Sequence, residues 1–192
     1  MGRLIMWNLV TLDGFFEGPE KWSLDWHDIA WGDELEELSI AQLRSAAMLM
    51  FGRITYQGMA NYWPTAEGEN AEIAHLMNSL PKVVFSTTLD RAEWENTRLL
   101  NGSPVQEVPR LKADATKDIF LFGSSSLASS LMPAGLIDEY RLCQTPVVLG
   151  RGTPLFKPSE HSTRMRLLDA RPLKSGAIVT RYEPVRTTNG GA

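Results

Sequence analysis

Short apolar segments alternate along the chain with segments of helical periodicity, and this alternation constrains the fold more than any other feature. Leu4–Leu12 is predicted as a buried strand, because it is short, apolar and followed by the turn pair Asp13-Gly14. Further strands are predicted at Met48–Phe51, Val83–Phe85, Thr97–Leu100, Ile119–Phe122, Glu139–Gln144, Met165–Arg171 and Ala177–Tyr182. Lys174-Ser175-Gly176 is predicted to join the last two strands as a hairpin.

The intervening segments have helical character. Over Asp33–Ala47 the apolar residues fall on one broad arc of a helical wheel, and acidic residues in the first turn suit the helix dipole. Other helices are predicted at Ile54–Asn61, Ala71–Ser79, Val105–Ala113 and Ser125–Met132. Strands that alternate with helices and end in a hairpin predict an α/β domain, with a mainly parallel central sheet and an antiparallel C-terminal hairpin.

Size, charge and cysteine content exclude several classes of protein. The 192 residues suit one domain, predicted over residues 1–184, with a disordered tail over 185–192. A formal charge of −4 argues against broad binding to nucleic acid or to an anionic membrane. The charge-free stretch Ile119–Ile137 is interrupted by serines, glycines and a proline, so we expect no membrane span. Cys143 is the single cysteine, and with no visible signal peptide it favours a cytoplasmic protein.

The sequence does not indicate a metal site or a catalytic nucleophile. His27, His75 and His161 are isolated from one another and are interpreted as surface or capping residues, so no metal is predicted. Cys143 lies in an apolar strand pattern, which is typical of a buried, inert thiol. No hydrolase G-x-S-x-G, Rossmann G-x-G-x-x-G after a strand or P-loop motif is present.

Three strand ends share a pattern that suits phosphate. Each apolar strand passes into small or hydrogen-bonding residues at Phe51-Gly52-Arg53, Phe85-Ser86-Thr87 and Phe122-Gly123-Ser124. Ligands of open α/β sheets bind outside the carboxyl ends of the strands, where helix N-termini offer unpaired N–H groups. Each junction alone is explained as a turn or a cap, but three on one sheet edge favour a nucleotide that carries phosphate.

Asp13 is the best single candidate for an acid in the site. It follows the first strand directly, so it is expected at the same sheet edge as the three junctions. An Asp-Gly turn whose carboxylate caps its own backbone explains the residue equally well.

The segment between Phe15 and Trp31 is rich in Gly, Pro and Trp and lacks clear periodicity. It is predicted as a long irregular loop, and such loops are usually functional. Its tryptophans, Trp22, Trp26 and Trp31, either form a lid that stacks on a planar heterocycle or close the core.

Several motifs, taken in order, resemble one family. They are Thr11-Leu12-Asp13-Gly14-Phe15, Phe51-Gly52-Arg53-Ile54-Thr55-Tyr56, Tyr62-Trp63-Pro64, Val83-Val84-Phe85-Ser86-Thr87-Thr88-Leu89 and Phe122-Gly123-Ser124-Ser125-Ser126-Leu127. The chain resembles the dihydrofolate reductase-like superfamily over residues 3–182. The closer resemblance is to the branch that includes the C-terminal reductase domain of the bifunctional riboflavin-biosynthesis protein.

This resemblance implies a three-layer dihydrofolate reductase-like fold and NADPH-dependent reduction of a pyrimidine- or pterin-like heterocycle. It assigns Gly52, Arg53 and Thr55 to cofactor phosphates, and Ser86 and Thr87 to the adenosine 2′-phosphate end. It assigns Gly123, Ser124, Ser125 and Leu127 to the pyrophosphate. Asp13 would face the substrate as the catalytic residue.

The implied activity is most like that of the 5-amino-6-ribosylaminouracil phosphate reductase of riboflavin biosynthesis. The alternatives are dihydrofolate reductase-type activity and a protein that binds NADPH or a pterin without turnover. No H-x-E or P-C-x-x-C signature is present, so the zinc deaminase domain of the bifunctional protein is absent from this sequence. The resemblance also implies a homodimer, with the C-terminal strands as the expected interface.

Overall fold

Residues 1–66, 71–159 and 162–185 are described in a computed structural model of the protein, and a central sheet organises them. The strands are β1 Leu4–Thr11, β2 Phe15–Glu17, β3 Ala46–Gly52, β4 Lys82–Phe85, β5 Thr97–Leu100, β6 Asp118–Phe122, β7 Glu139–Thr145, β8 Thr153–Pro154, β9 Met165–Pro172 and β10 Ile178–Pro184. The helices are α1 Asp33–Ser45, α2 Arg53–Tyr62, α3 Ala71–Ser79, α4 Pro104–Asp114 and α5 Ser125–Leu131. Short 3₁₀ helices cover Asp25–Ile29 and Trp63–Thr65.

Eight strands form the central sheet in the order β5-β4-β3-β6-β1-β7-β10-β9. The first six run parallel to one another, and β7, β10 and β9 are joined in antiparallel fashion. This arrangement confirms the predicted mainly parallel sheet with an antiparallel C-terminal hairpin.

Two hydrophobic clusters, one on each face of the sheet, make three layers. On one face Ile5, Phe51 and Phe120 pack with apolar residues of α1, α2 and α3. On the other face Met6 and Leu121 pack with residues of α4 and α5. Successive residues of β1 therefore alternate between the clusters, as the two-residue period of a strand buried on both faces requires.

Two local predictions are wrong in their details. The first long helix was expected to reach Ala47, but α1 ends at Ser45 and Ala46 begins β3. Ala46 pairs with Asp118 of β6, so sheet pairing overrides the helical preference of alanine. The segment expected to be irregular contains β2, whose Phe15 pairs with Pro154 of β8 in a small separate sheet.

A buried carboxylate stabilises the sheet at the end opposite the strands' carboxyl termini. Glu139, the first residue of β7, is only 1% exposed. Its oxygens accept hydrogen bonds from Arg3, Arg141 and Arg181, with donor–acceptor distances of 2.9, 2.5 and 2.7 Å. Burial acts to raise the pKa of Glu139, but the hydrogen bonds from Arg181 and Arg141 outweigh it and hold the pKa at about 2.

The predicted disordered tail falls, apart from Val185, outside the described residues. The Val185 N–H donates to the carbonyl of Arg164 at 2.8 Å, so the chain is still anchored at this point. Among the residues in the three described ranges, no helix is long and apolar enough to cross a membrane.

Candidate functional site

A cleft of about 880 Å³ opens at the carboxyl ends of β1, β3, β4 and β6. All nine residues that the resemblance assigned to a cofactor line it, and they come from two strand–helix junctions and the turn after β4. They are Gly52, Arg53, Thr55, Ser86, Thr87, Gly123, Ser124, Ser125 and Leu127. The parallel strands explain this convergence, because their carboxyl ends meet at one edge of the sheet.

Two glycines allow the β3–α2 and β6–α5 junctions to touch. A Cβ atom at Gly52 would lie 2.0 Å from the hydroxyl oxygen of Ser124. A Cβ atom at Gly123 would lie 2.9 Å from the Thr55 hydroxyl, and its φ of +56° also favours glycine. The starts of α2 and α5 are thereby held against each other at the cleft.

Ser124 holds this junction in a conformation that is unusual for its residue type. Its φ of 54° lies in the left-handed region, directly after the left-handed Gly123. Its N–H donates to the Thr55 hydroxyl at 3.0 Å, and its own hydroxyl accepts from the Leu127 N–H at 3.4 Å. Left-handed non-glycine residues concentrate at ligand-binding and active sites. The hydrogen bonds keep the turn open toward the cleft.

The cleft contains hydrogen-bond donors that the protein itself does not satisfy. The Arg53 side chain donates to Gln57 Oε1 at 3.2 Å, and no carboxylate of the described residues lies within 4.0 Å of it. The Ser125 hydroxyl is buried without a hydrogen-bond partner. Buried hydroxyls are normally paired, so an external acceptor is expected here.

Lys157 is a cleft residue that sequence reasoning missed. It follows β8, and its Nζ donates to the Ser126 hydroxyl at 2.9 Å, beside the start of α5. Together with Arg53 it gives this end of the cleft two cations and no partner carboxylate among the described residues. We call this end, built on β3, β4 and β6, the phosphate end.

The turn after β4 forms another part of this wall. The Ser86 hydroxyl oxygen accepts from the N–H groups of Thr88 and Leu89 at 3.1 and 3.0 Å, which fixes the turn. Thr87 is exposed beside it. The prediction that Ser86 and Thr87 contact the adenosine 2′-phosphate stays a prediction.

Asp13 follows β1, but unlike the nine residues above it does not line the cleft. Its carboxylate accepts from the Thr11 hydroxyl at 2.6 Å and from the N–H groups of Leu149 and Gly150 at 3.3 and 2.7 Å. The Thr11 hydrogen bond, helped by these N–H groups, lowers the pKa of Asp13. The carboxylate holds the loop after β7 against the end of β1, and its predicted catalytic role stays a prediction.

The three tryptophans of the segment between Phe15 and Trp31 differ in burial and in their contact with the cleft. Trp26 is buried in the protein, whereas Trp22 and Trp31 line the cleft. A Cβ atom at Gly58 of α2 would lie 1.8 Å from the Trp22 ring, so the ring rests directly on that helix. The backbone N–H of Trp22 donates to Glu17 Oε1 at 2.8 Å, and this hydrogen bond anchors the loop beside the cleft.

Two polar side chains beside β1 have buried nitrogen atoms without a hydrogen-bond partner, namely Asn8 Nδ2 and His27 Nε2. Both residues line the cleft, so the expectation of a surface or capping histidine is wrong for His27. Burial lowers the pKa of His27 to about 4, despite the nearby carboxylates of Asp28 and Asp25, so the imidazole is neutral at pH 7.

The other sequence candidates lie outside the site. His75 is exposed on α3, and His161 falls outside the described residues. Burial raises the pKa of the Cys143 thiol to about 12, consistent with the predicted inert thiol. Within the described part of the chain, no three His, Cys, Asp or Glu side chains are grouped to hold a metal ion.

The sheet order, the three layers and the cleft at the strand ends define a protein with a dihydrofolate reductase-like fold. The chain belongs to the RibD C-terminal domain family, whose model matches residues 3–179. This confirms the family indicated by the sequence motifs, and membership supports a reductase-like function.

Known proteins of this type are similar over nearly the whole chain. The uncharacterized protein YyaP of Bacillus subtilis is 33% identical over 187 residues, which cover 94% of each protein. A solved structure from Shewanella sp. PV-4, provisionally assigned to riboflavin biosynthesis, is 21% identical with a TM-score of 0.79, covering 96% of this chain and 99% of that one.

Two more distant structures share the fold. Dihydrofolate reductase from Enterococcus faecalis, complexed with NADP(H), is 15% identical with a TM-score of 0.63, and the match covers 96% of this chain and 98% of that one. The Thermotoga maritima deaminase/5-amino-6-(5-phosphoribosylamino)uracil reductase is 13% identical with a TM-score of 0.65. That match covers 96% of this chain and 57% of the longer protein.

Proposed function

We propose that this protein is an NADPH-dependent reductase of a flat nitrogen heterocycle of the pyrimidine or pterin type. The observation that carries the proposal is the phosphate end of the cleft. There Arg53, Lys157 and the unpaired Ser125 hydroxyl line the cleft near the starts of α2 and α5, and no carboxylate of the described residues lies within 4.0 Å of either cation. Such a set of donors suits a dinucleotide with several phosphates.

The distribution of polarity in the cleft supports a dinucleotide over a simple anion. Beyond the phosphate end, the wall is aromatic and aliphatic, with Trp22, Trp31, Trp63 and Met59 in the lining. A nicotinamide ring and a flat substrate stack well against such surfaces and are shielded from water there. The NADP(H) complex of the E. faecalis enzyme and the uracil reductase activity of the T. maritima protein support the same choice.

Different residues of this chain would bind the cofactor and shield the reacting rings from water. Arg53, Lys157 and Ser125 would hold phosphate oxygens, and the loop that carries Trp22 would exclude water. NADPH, when bound, supplies the hydride. Dihydrofolate reductase-type activity is less well supported, because the folate enzyme has an acidic residue on its first long helix. Here α1 contributes Ser39, Gln42 and Leu43 to the described cleft lining and no carboxylate.

The direct test measures two properties of the purified protein. Calorimetric titration with NADPH is expected to show saturable binding, and candidate pyrimidines and pterins are expected to cause decay of NADPH absorbance. Tight NADPH binding without oxidation by any compound would instead favour the non-catalytic binding protein. Absence of NADPH binding would refute the proposal.

We also propose that the protein is a homodimer through its C-terminal strands. β9 is an edge strand, and its Leu167 and Leu168 are 54% and 38% exposed. An exposed apolar edge strand is a template for pairing with another chain. Sedimentation velocity at micromolar concentration is expected to show a dimer, and Leu168→Glu is expected to give a monomer. A wild-type protein that sediments only as a monomer would contradict this proposal.

A further inference from the structure

Positive charge in the cleft is confined almost entirely to the phosphate end. Arg53 and Lys157 lie there, near α2 and α5. Lys21 is the one other lysine or arginine in the described lining, and it is exposed on the loop before Trp22. We call the part of the cleft beside β1 and α1 the ring end, and its described lining has no buried cation. Arg141 donates to Gln42 Oε1 at 3.1 Å from outside the lining, and it is paired with Glu139.

Apart from Glu17, the polar groups of the ring end are neutral. They come from Asn8 on β1, His27 on the 3₁₀ helix, and Ser39 and Gln42 on α1. With its pKa near 4, His27 carries no charge at neutral pH. A phosphate transferred from water into such surroundings would lose its hydration without gaining a counter-charge, which is strongly unfavourable.

The ring end has one carboxylate among the described lining residues, that of Glu17. Its Oε1 accepts from the backbone N–H of Trp22 at 2.8 Å, and its Oε2 accepts from the Thr153 hydroxyl at 3.2 Å. Both donors are neutral, so the carboxylate keeps its negative charge and disfavours a phosphate here further.

Asn8 and His27 show what kind of group the ring end is built to receive. Asn8 is 6% exposed, and it lies one residue beyond the last β1–β6 pair, Trp7 with Phe122, where the two strands separate. Its amide Nδ2 has no hydrogen-bond partner among the described residues, and neither has His27 Nε2. Buried polar atoms without partners are rare, so both are expected to meet polar atoms of a ligand. Asn8 Nδ2 can only donate, and a ring carbonyl or ring nitrogen would accept from it.

We infer that the substrate carries a flat heterocycle with carbonyl or ring-nitrogen acceptors and has no phosphate. This inference rests on the proposed function and differs from the phosphorylated compound named for the T. maritima reductase. A ribosylamino compound has a C=N bond when its sugar ring is open, and hydride addition to that carbon would break the π bond and oxidise NADPH to NADP⁺. The electron pair left on nitrogen would take its proton from water.

The test compares two compounds that differ only in the phosphate group. The probes are 5-amino-6-(5-phosphoribosylamino)uracil and the same compound without its phosphate, each added to NADPH-saturated protein. The value of kcat/KM is expected to be at least about tenfold higher for the phosphate-free compound. Equal values, or preference for the phosphorylated compound, would overturn the inference.

Binding measurements separate this inference from the proposed function. A prior calorimetric titration with NADPH tests the proposed function alone, since neither probe is present. If NADPH binds but neither probe is reduced or quenches tryptophan fluorescence of the complex, the substrate class is wrong while the cofactor assignment stands.

A variant tests the role of Asn8 as a positioning residue. Asn8→Leu keeps the size of the side chain and removes the donor, so the KM for the phosphate-free probe is expected to rise about tenfold. The dissociation constant of NADPH should change less than twofold. Asn61→Leu, at an exposed residue of α2 outside the described cleft lining, is the matched control. An unchanged KM in Asn8→Leu would contradict the role.

Discussion

Replacing Arg53 by alanine separates a ligand-binding role of the phosphate end from a structural one. Arg53 is exposed at the start of α2, and its one hydrogen bond within the protein goes to Gln57 on the same helix. Surface substitutions away from structural features change stability by no more than about 0.5 kcal/mol. The melting temperature of Arg53→Ala should therefore stay close to that of the wild type.

The effect on cofactor binding should be much larger. A hydrogen bond between a charged donor and its partner contributes about 1.5–3 kcal/mol. Since about 1.4 kcal/mol corresponds to a factor of ten, NADPH should bind on the order of ten- to a hundredfold more weakly. Arg53→Lys should recover part of this loss, because it keeps the charge but not the planar fork.

Calorimetric titration and thermal unfolding of the same preparations give both quantities. Arg110→Ala is the matched control, because Arg110 is an exposed arginine of α4 that does not belong to the described lining of the cleft. Normal NADPH affinity in Arg53→Ala would refute the phosphate-binding role. A lowered melting temperature with normal affinity would assign Arg53 a structural role instead.

Three further substitutions test other parts of the structure. Gly52→Ala places a methyl group 2.0 Å from the Ser124 hydroxyl, so it should lower both the melting temperature and the affinity for NADPH; an unchanged affinity would contradict the tight junction. Ser125→Ala removes an unpaired hydroxyl, so NADPH should bind about two- to tenfold more weakly with no loss of thermal stability. Glu139→Gln should destabilise the protein by about 3–5 kcal/mol in urea without affecting NADPH binding. Folding lowers the pKa of Glu139 from 4.5 to about 2, so the ionised carboxylate stabilises the folded protein fully above about pH 4.5. This stabilisation is lost as the pH falls toward 2. Acid unfolding that is identical in Glu139→Gln and the wild type would contradict this.

The sequence predicted the parts of the site that follow from local pattern. An apolar run followed by glycine or serine marks the end of a buried strand, and parallel strands bring such ends to one edge. This reasoning predicts that Gly52, Ser86 and Gly123 lie at one edge of the sheet, and the structure brings them together in the cleft.

The parts that were missed depend on contacts between distant segments. Lys157 reaches Ser126 from a loop 31 residues away, and nothing near it in the sequence marks it as a cleft residue. Asn8 lies within an apolar strand, and its importance follows only from the place where β1 and β6 separate. Asp13 follows β1 as predicted, but the loop after β7 folds over it and engages its carboxylate.

A crystal structure of the protein with NADP⁺ is the most direct test of the central claim that this cleft is a dinucleotide site. The phosphates are expected between the starts of α2 and α5, with phosphate oxygens accepting hydrogen bonds from Arg53 and from the Ser125 hydroxyl. The nicotinamide ring should lie toward the tryptophan-lined wall, with Asn8 left for the substrate. A nucleotide bound at another surface, or an empty cleft at millimolar NADP⁺, would contradict the claim.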